Sequence, residues 1–386
     1  ERLLGHYEKF WRVTEIFPVN SVGIVTARDA FAIDSDKEAL KRRVRQFRDK
    51  NLTDEFIRQT YGLRDTSKFK LKAAREKIMK DADWEDSIIK ILYRPFDAQW
   101  IFYNDELVER TLKKTMRHMM RENLGLLTCR QQSIKGFHHV FICDKIVESC
   151  AVSNKTTEIN YLFPLYLYEE GNPSDSPLSK SGAKGASKKR YGCGTMSLFE
   201  DTSEYVVKKP NISPVLIEEL KKAHKKAPSP EDVFYYIYGV LYSNVYREKY
   251  REFLKTDFPR VPFTKNHKLF IKTAEYGKEL AELHLMKSKR LDKPFAKFQG
   301  KSDNRVRKPI FNEKEKRVYI NDTQFFDGIS PEVFGYHIGG YKVMEKWLKD
   351  RKNKILSLED IKHYCRITAA IKETMDLQKD LDKIYD

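Results

Sequence analysis

Long apolar runs are missing from this sequence. No stretch approaches the roughly 18 residues that a membrane-spanning helix needs, and the opening ERLLGHYEKF has none of the layout of a signal peptide. Cysteine is scarce: Cys129, Cys143, Cys150, Cys193 and Cys365 include no CxxC pair and leave an odd one over. That pattern argues against a disulfide framework and fits a reducing compartment. The first residue is Glu1, so the expectation is a module inside a longer protein, with catalytic parts elsewhere.

Catalytic signatures are missing too. There is no GxxxxGK[ST] phosphate loop, no HExxH, no HxE followed by PCxxC, no NPPY or DPPY, and no GxG loop after an early strand. GCG at Gly192 to Gly194 sits in a Gly/Ser-rich stretch and is no cofactor fingerprint. His138 and His139 are adjacent, so in a strand they point to opposite faces and make a poor metal pair. No metal site is expected, and activity residing in this chain is not.

What is present is positive charge. The 386 residues carry 73 Lys or Arg against 56 Asp or Glu, a formal charge of +17, which favours a polyanionic partner. The surplus is uneven: residues 287–317 hold 12 Lys or Arg and four Asp or Glu, a local excess of eight. This segment is either a solvated surface loop or a contact for phosphates, through Lys289, Arg290, Arg305, Arg307 and Lys308.

The pattern along the chain predicts an α+β protein: a helical N-terminal connector, a mixed or mostly antiparallel β core and a helical C-terminal part. The connector spans 1–87, with helices from Asp36 to Asp49 and from Ser67 to Met79, and another around Trp84. In the first, Leu40, Val44 and Phe47 share one face. Arg42 and Arg43 lie among basic residues that are either a solvated face or a phosphate contact.

Short apolar and aromatic pieces between turn residues predict strands over about 88–170, within a β-rich unit 88–212. KKTMRHMMREN predicts a short helix or turn there. Gly171 to Gly194 is rich in Gly, Ser, Pro and Lys and reads as a flexible insertion. Its Lys188, Lys189 and Arg190 either touch nucleic-acid backbone or keep a loop soluble.

Residues 213–386 read as mainly helical. Helices are expected at Ser213 to Lys222 and from a Ser229-Pro230 start toward Pro259. In the latter, Phe234, Tyr238, Leu241, Val245 and Phe253 form a packing stripe. Two more are expected, over VFGYHIGGYKVMEKWLKDRK and from Leu358 to Leu381.

Two short stretches stand out. In ILYRPFDAQWIFY, Pro95 fixes its own backbone angle and biases Arg94 toward an extended conformation, while Asp97 is placed to accept from Arg94 or from turn amides. Arg94, Pro95 and Asp97 therefore read chiefly as a structural corner, with DNA contact by Arg94 as the second reading. After LGLLTC, the loop residues Arg130, Gln131, Gln132, Ser133 and Lys135 lie between two expected strands. They are either a plain polar hairpin or the best candidates for groove contact, with Lys135 on the backbone, since forked donors such as Arg and Gln suit base edges.

YRPFD at Tyr93 to Asp97, NLGLLTCRQ at Asn123 to Gln131, YYIYGVLYSNVYREKYREFLKTDFPRVPF at Tyr235 to Phe263 and GGYKVMEKWLKDR at Gly339 to Arg351 resemble the C-terminal specificity region of type ISP single-chain restriction-modification proteins. SVGIVTARDAF at Ser21 to Phe31 resembles the stretch that follows their adenine-methyltransferase core. The four ordered motifs span most of the chain, and similar phrases occur in related fused restriction and methyltransferase enzymes.

The resemblance implies a target recognition domain that binds duplex DNA. It would be fused N-terminally to a methyltransferase and to helicase-like and nuclease domains, in a prokaryotic cytoplasm. The parent would use S-adenosylmethionine, Mg2+ and ATP; this chain would hold none of them, and no catalytic residue carries over. Arg28 and Asp29 of TARD would lie near the methyltransferase junction, as an ion pair or cap or as a contact beside the flipped adenine. Against this reading stands a docking module between catalytic domains without its own DNA specificity, and then a stand-alone nuclease.

Overall fold

The computed structural model describes residues 2–155, 157–170 and 206–385. Two four-stranded sheets form its middle. The first runs in the order Ser21–Val22, Asn160–Pro164, Gly125–Cys129, Val140–Cys143, with every pair antiparallel. The second runs Ile33–Asp34, Asp97–Phe102, Ile88–Arg94, Ile146–Val147 and is antiparallel except for its last pair. All residues of Gly125–Cys129 and Val140–Cys143 are buried, which is why those segments read as continuous apolar runs rather than alternating ones.

The connector does not end where the sheets begin. Its two short strands close one edge of each sheet, so residues 1–87 and the β core share their main-chain hydrogen bonds. The Lys37–Arg48 helix packs against Ile33–Asp34 and Asp97–Phe102. Asp36 caps it by accepting from the Glu38 and Ala39 amides, and Leu40, Val44 and Phe47 are buried as their spacing predicts. An unexpected helix, Asp54–Tyr61, follows, and the helix expected from Ser67 starts later, at Leu71–Lys80, because the Thr66 hydroxyl accepts from the Lys68 and Phe69 amides and holds a turn there. Around Trp84 there is only a 3-10 turn, Trp84–Ser87.

In the C-terminal part, Pro230–Tyr242 opens with a capping box between Ser229 and Asp232. It stops well before Pro259. Ser243 takes an extended conformation, and its hydroxyl accepts from Tyr246 to start a new helix, Asn244–Lys249. The packing stripe therefore breaks: Val245 is exposed and Phe253 begins a 3-10 turn. Gly239 and Gly277 let Pro230–Tyr242 lie directly against His267–His284, since a methyl on Gly277 would overlap the Tyr235 carbonyl.

The helix expected over Val333 to Lys352 is in fact Pro331–Phe334, a hairpin of His337–Ile338 and Tyr341–Lys342, and then Val343–Lys349. Gly339, with φ 58 in the left-handed region, makes the hairpin turn. Leu358–Asp382 is one long helix with its own capping box at Ser357 and Asp360, as its pattern predicts.

The basic segment is not a loop. It runs through a third antiparallel sheet, ordered Lys297–Gln299, Phe325–Asp327, Arg317–Tyr319, Ile310–Asn312. Val318 and Phe326 are fully buried, and the Phe326 ring centroid lies 4.3 Å from that of Tyr364 on the long helix. Three antiparallel or mixed sheets with helices at both ends make the fold α+β. Among the described residues no helix is long and apolar enough to cross a membrane, and Cys129, Cys143, Cys150 and Cys365 are free thiols.

Candidate nucleic-acid interface

Between the buried strands Gly125–Cys129 and Val140–Cys143 the chain surfaces in a loop against the 3-10 turn Phe253–Lys255. The Gln132 amide donates to the Lys255 carbonyl at 3.2 Å, and the Arg130 guanidinium lies 3.4 Å from Asp257. Arg130, Gln131 and Lys135 are exposed, with 63% of the Arg130 side chain open to solvent. Gln132 points inward instead. Its amide nitrogen donates to the Gly136 carbonyl at 2.8 Å and its oxygen lies 2.6 Å from His139 Nδ1. Ser133 is exposed, but its amide and hydroxyl both donate to Glu158, each at 2.6 Å. Of the four residues proposed from sequence to read bases, Arg130 and Gln131 face outward, touching only Asp257 and the Thr256 carbonyl of the neighbouring turn, while Gln132 and Ser133 are engaged with the protein interior.

Glu158 is completely buried. Besides Ser133 it accepts from the Ser153 hydroxyl at 2.6 Å and faces His139 Nε2 at 2.8 Å. Burial works against its charge, but these hydroxyls, the Ser133 amide and His139 draw its carboxyl down to about 2. Burial also lowers the proton affinity of His139. Both ring nitrogens face acceptors, Gln132 Oε1 at Nδ1 and Glu158 Oε2 at Nε2; a neutral ring donates to one of them only, and the carboxylate is the stronger acceptor. His138 turns away toward His337, with ring centroids 5.9 Å apart, so the two adjacent histidines diverge.

The corner at Tyr93 to Asp97 is a hairpin turn. Pro95 and Phe96 occupy its two central positions, and Phe96 holds φ 60, the left-handed conformation that this turn pattern places second. Its ring is buried edge-on against Phe141 at 5.2 Å, which compensates the strained backbone. Arg94 and Asp97 do not pair with one another. Arg94 bonds Glu148 at 2.7 Å, and Asp97 accepts from Arg351 and Gln99, each at 2.8 Å. Burial alone would raise the Asp97 carboxyl, but Arg351 and Gln99 hold it below the ordinary carboxylate range. Arg94 is 8% exposed and its charge is met internally, so the corner is structural and leaves little of Arg94 for a phosphate.

Other basic residues divide in the same way. Arg28 donates to the Leu107 carbonyl at 2.8 Å, pairs with Glu109 at 3.1 Å and stacks over Phe69, while Asp29 accepts from Tyr93 at 3.0 Å. Arg28 is thus ion-paired and Asp29 is bonded to side chains, without capping a helix. Arg43 is likewise held by Asp34 and the Ala30 and Phe31 carbonyls, whereas Arg42 is exposed. In residues 287–317 five side chains carry ion pairs: Lys287, Arg290, Arg305, Arg307 and Arg317. The other seven, Lys289, Lys293, Lys297, Lys301, Lys308, Lys314 and Lys316, are exposed lysines without an acidic partner among the described residues. Lys188, Lys189 and Arg190 lie outside the described residues.

Sequence reasoning missed Glu158, His139 and Arg351 as parts of this architecture. A lone Glu in SNKTTEIN carries no pattern, and Arg351 lies in a run of mixed charge. The one available signal was HH directly before a buried strand. Among the described residues no cluster of three His, Cys, Asp or Glu side chains is placed to hold a metal ion.

An α+β scaffold that seats an exposed Arg-Gln loop between buried strands and carries exposed lysines in and around a separate small sheet has the form of a nucleic-acid recognition module. The family is shown by sequence: residues 15–380 match the model of the Type ISP C-terminal specificity domain, and the chain belongs to that family. No curated protein matches it. Several solved structures share its fold. The chain is similar to the DrdV-DNA complex solved by cryo-electron microscopy, with 20% identity and a TM-score of 0.68 over 95% of this chain and 36% of that one. It is similar to a nuclease-deletion mutant of the Type ISP restriction-modification enzyme LlaGI in complex with a DNA substrate mimic, with 19% identity and a TM-score of 0.62, covering 97% and 29%. The ATP-dependent Type ISP enzyme LlaBIII bound to DNA gives 19% identity and a TM-score of 0.67, covering 97% and 24%. The chain thus spans between 24% and 36% of the length of those proteins.

Proposed function

We propose that this chain is the target recognition module of a restriction-modification enzyme, selecting a sequence in duplex DNA for chemistry done by fused domains. The observation that carries this reading is membership of the specificity-domain family over residues 15–380. The three similar proteins are described in complexes with DNA or a DNA mimic, which supports the same partner here.

Within the module, Arg130 and Gln131 read base edges, because forked and amide donors on a loop rooted in rigid strands suit groove recognition. Lys135, Arg42 and the exposed lysines of the basic segment, Lys289, Lys301 and Lys308 among them, supply phosphate contacts that fix register without reading sequence. Adenine methylation requires the target base to leave the stack, so the reader works by holding flanking bases while another domain receives the flipped one. S-adenosylmethionine, Mg2+ and ATP serve those other domains, a methyltransferase, a nuclease and a helicase-like motor, acting on DNA in a prokaryotic cytoplasm.

Titration of the full-length protein with a randomised duplex pool across salt concentrations, followed by sequencing of the retained molecules, tests this. An asymmetric enriched motif is expected. Salt-sensitive retention without enrichment would move sequence choice to another domain, and no retention would leave a docking role between catalytic domains.

A further inference from the structure

Besides its contacts to Lys255 and Asp257 on the neighbouring turn, the reading loop is held from beneath by a buried carboxylate. We propose that Glu158 is a positioning residue for DNA reading: it fixes the path of the loop from Arg130 to Gly136 and so sets base discrimination without touching DNA. The proposal rests on the assignment of that loop as the base reader.

Glu158 grips the loop at two points. Directly, one carboxylate oxygen takes both the amide and the hydroxyl of Ser133. Indirectly, the other faces His139 Nε2; His139 Nδ1 meets the Gln132 side chain, and Gln132 donates back to the Gly136 carbonyl, which closes a ring through the loop's far end. The loop's inward polar atoms are thereby used, and Arg130, Gln131 and Lys135 are left facing solvent.

Such a node is more than loop closure requires. A buried charge is tolerated only when its lone pairs are filled, and partial filling is worse than an apolar core. Here donors converge from Ser133, His139 and Ser153, three separate places in the chain. The Gly339-Gly340 hairpin presses on the same node: the Gly340 amide donates to the Val152 carbonyl at 2.8 Å, and a Cβ on Gly340 would stand 2.6 Å from the Ser153 hydroxyl. The Gly339 amide reaches the His138 carbonyl at 2.6 Å. Over-determination of this kind is what a recognition loop needs, because side chains that read bases must be held to within about 0.5 Å.

The test uses the full-length protein, a duplex carrying the motif enriched from the random pool, and a scrambled duplex. Glu158→Gln is expected to reduce the affinity ratio between the two duplexes by about tenfold, with scrambled-duplex affinity and salt dependence unchanged. Ser153→Ala, which removes one donor well away from the loop tip, is expected to reduce it by a smaller factor and serves if the first variant does not fold. A purely structural role would lower melting temperature and leave the ratio intact in the folded variant; that result, with Arg130→Ala still lowering the ratio, overturns the positioning role alone. If Arg130→Ala and Gln131→Ala both leave the ratio unchanged, the base-reading assignment of the loop fails and the proposal falls with it.

Discussion

Asp97 and Arg351 stand 254 positions apart in the chain and meet in a buried hydrogen bond of 2.8 Å. The bond ties the hairpin corner of the second sheet to the residue just past Val343–Lys349, where the Arg351 guanidinium also stacks 3.6 Å from the Trp347 ring centroid. Two of the sequence's most distinctive phrases, YRPFD and GGYKVMEKWLKDR, are therefore halves of one joint.

Asp97→Asn should leave Arg351 buried with only the more distant Asp360, at 3.7 Å, as counter-charge. The expected loss is about 3 to 5 kcal/mol in urea unfolding, the range for one partner removed from a buried pair. Arg351→Met should cost a similar amount, and the double variant less than the sum. A loss below about 0.5 kcal/mol for Asp97→Asn would mean that solvent reaches the joint.

Gly277→Ala should destabilise the helical part, because its methyl would collide with the Tyr235 carbonyl of the facing helix, a backbone atom that cannot rotate away. About 1 to 3 kcal/mol is expected, against a change near zero for Gly5→Ala, where nothing lies within 4 Å. Equal melting temperatures for the two variants would show that the helices can separate freely.

His284 is buried, with Nδ1 against the Tyr238 hydroxyl at 2.6 Å and Nε2 against Thr374 at 2.9 Å. Burial, helped by Arg247, lowers its pKa to about 3. The unfolded chain binds this proton near pH 6.5, so the stabilising contribution is full above that value and is lost as pH falls toward 3. Melting followed from pH 7.5 to 4.5 should show a decline that is shallower in a His284→Asn variant, with His138 and the other buried histidines supplying the rest. Parallel profiles for the two proteins would remove His284 as its source.

Replacing Lys301 and Lys308 with glutamine should weaken binding to every duplex equally and lower the slope of log K against log salt by about one for each phosphate that is no longer neutralised. Arg130→Ala should instead cost about 1 to 3 kcal/mol on the selected duplex and much less on a scrambled one. Uniform weakening for Arg130→Ala would make it a phosphate ligand.

Much of the scaffold was legible because its signals are local. Asp36 before an apolar 3-4 rhythm predicts Lys37–Arg48, and Ser357 before Leu358 predicts the long C-terminal helix. Where a single side chain outweighs periodicity, the pattern misleads: Ser243 ends a helix that Val245 and Phe253 would have continued, and Gly339-Gly340 turns an apolar run into a hairpin. The site was legible only by half. Arg130 and Gln131 face outward, but nothing local distinguishes them from Gln132 and Ser133, whose partners His139 and Glu158 approach from elsewhere in the fold. Arg43 reads as solvated or phosphate-facing charge and turns out to be paired with Asp34, while the acidic partners of Arg28 and Arg94 lie 81 and 54 positions away and leave no spacing to detect.

The short strands Ser21–Val22 and Ile33–Asp34 bear on how such modules can be exchanged between relatives. A cut at residue 88 would strip one from each middle sheet, leaving Asn160–Pro164 and Asp97–Phe102 with bare main-chain edges that recruit other chains. The same cut would orphan Asn211, whose side chain accepts from the Val19 amide and donates to the Val19 and Pro164 carbonyls. Even Trp11–Arg12 is paired far downstream, with Arg260–Val261. A graft that keeps its solubility must therefore be severed upstream of Trp11, and a recipient enzyme that retained its own copy of this connector would carry two rivals for the same sheet edges.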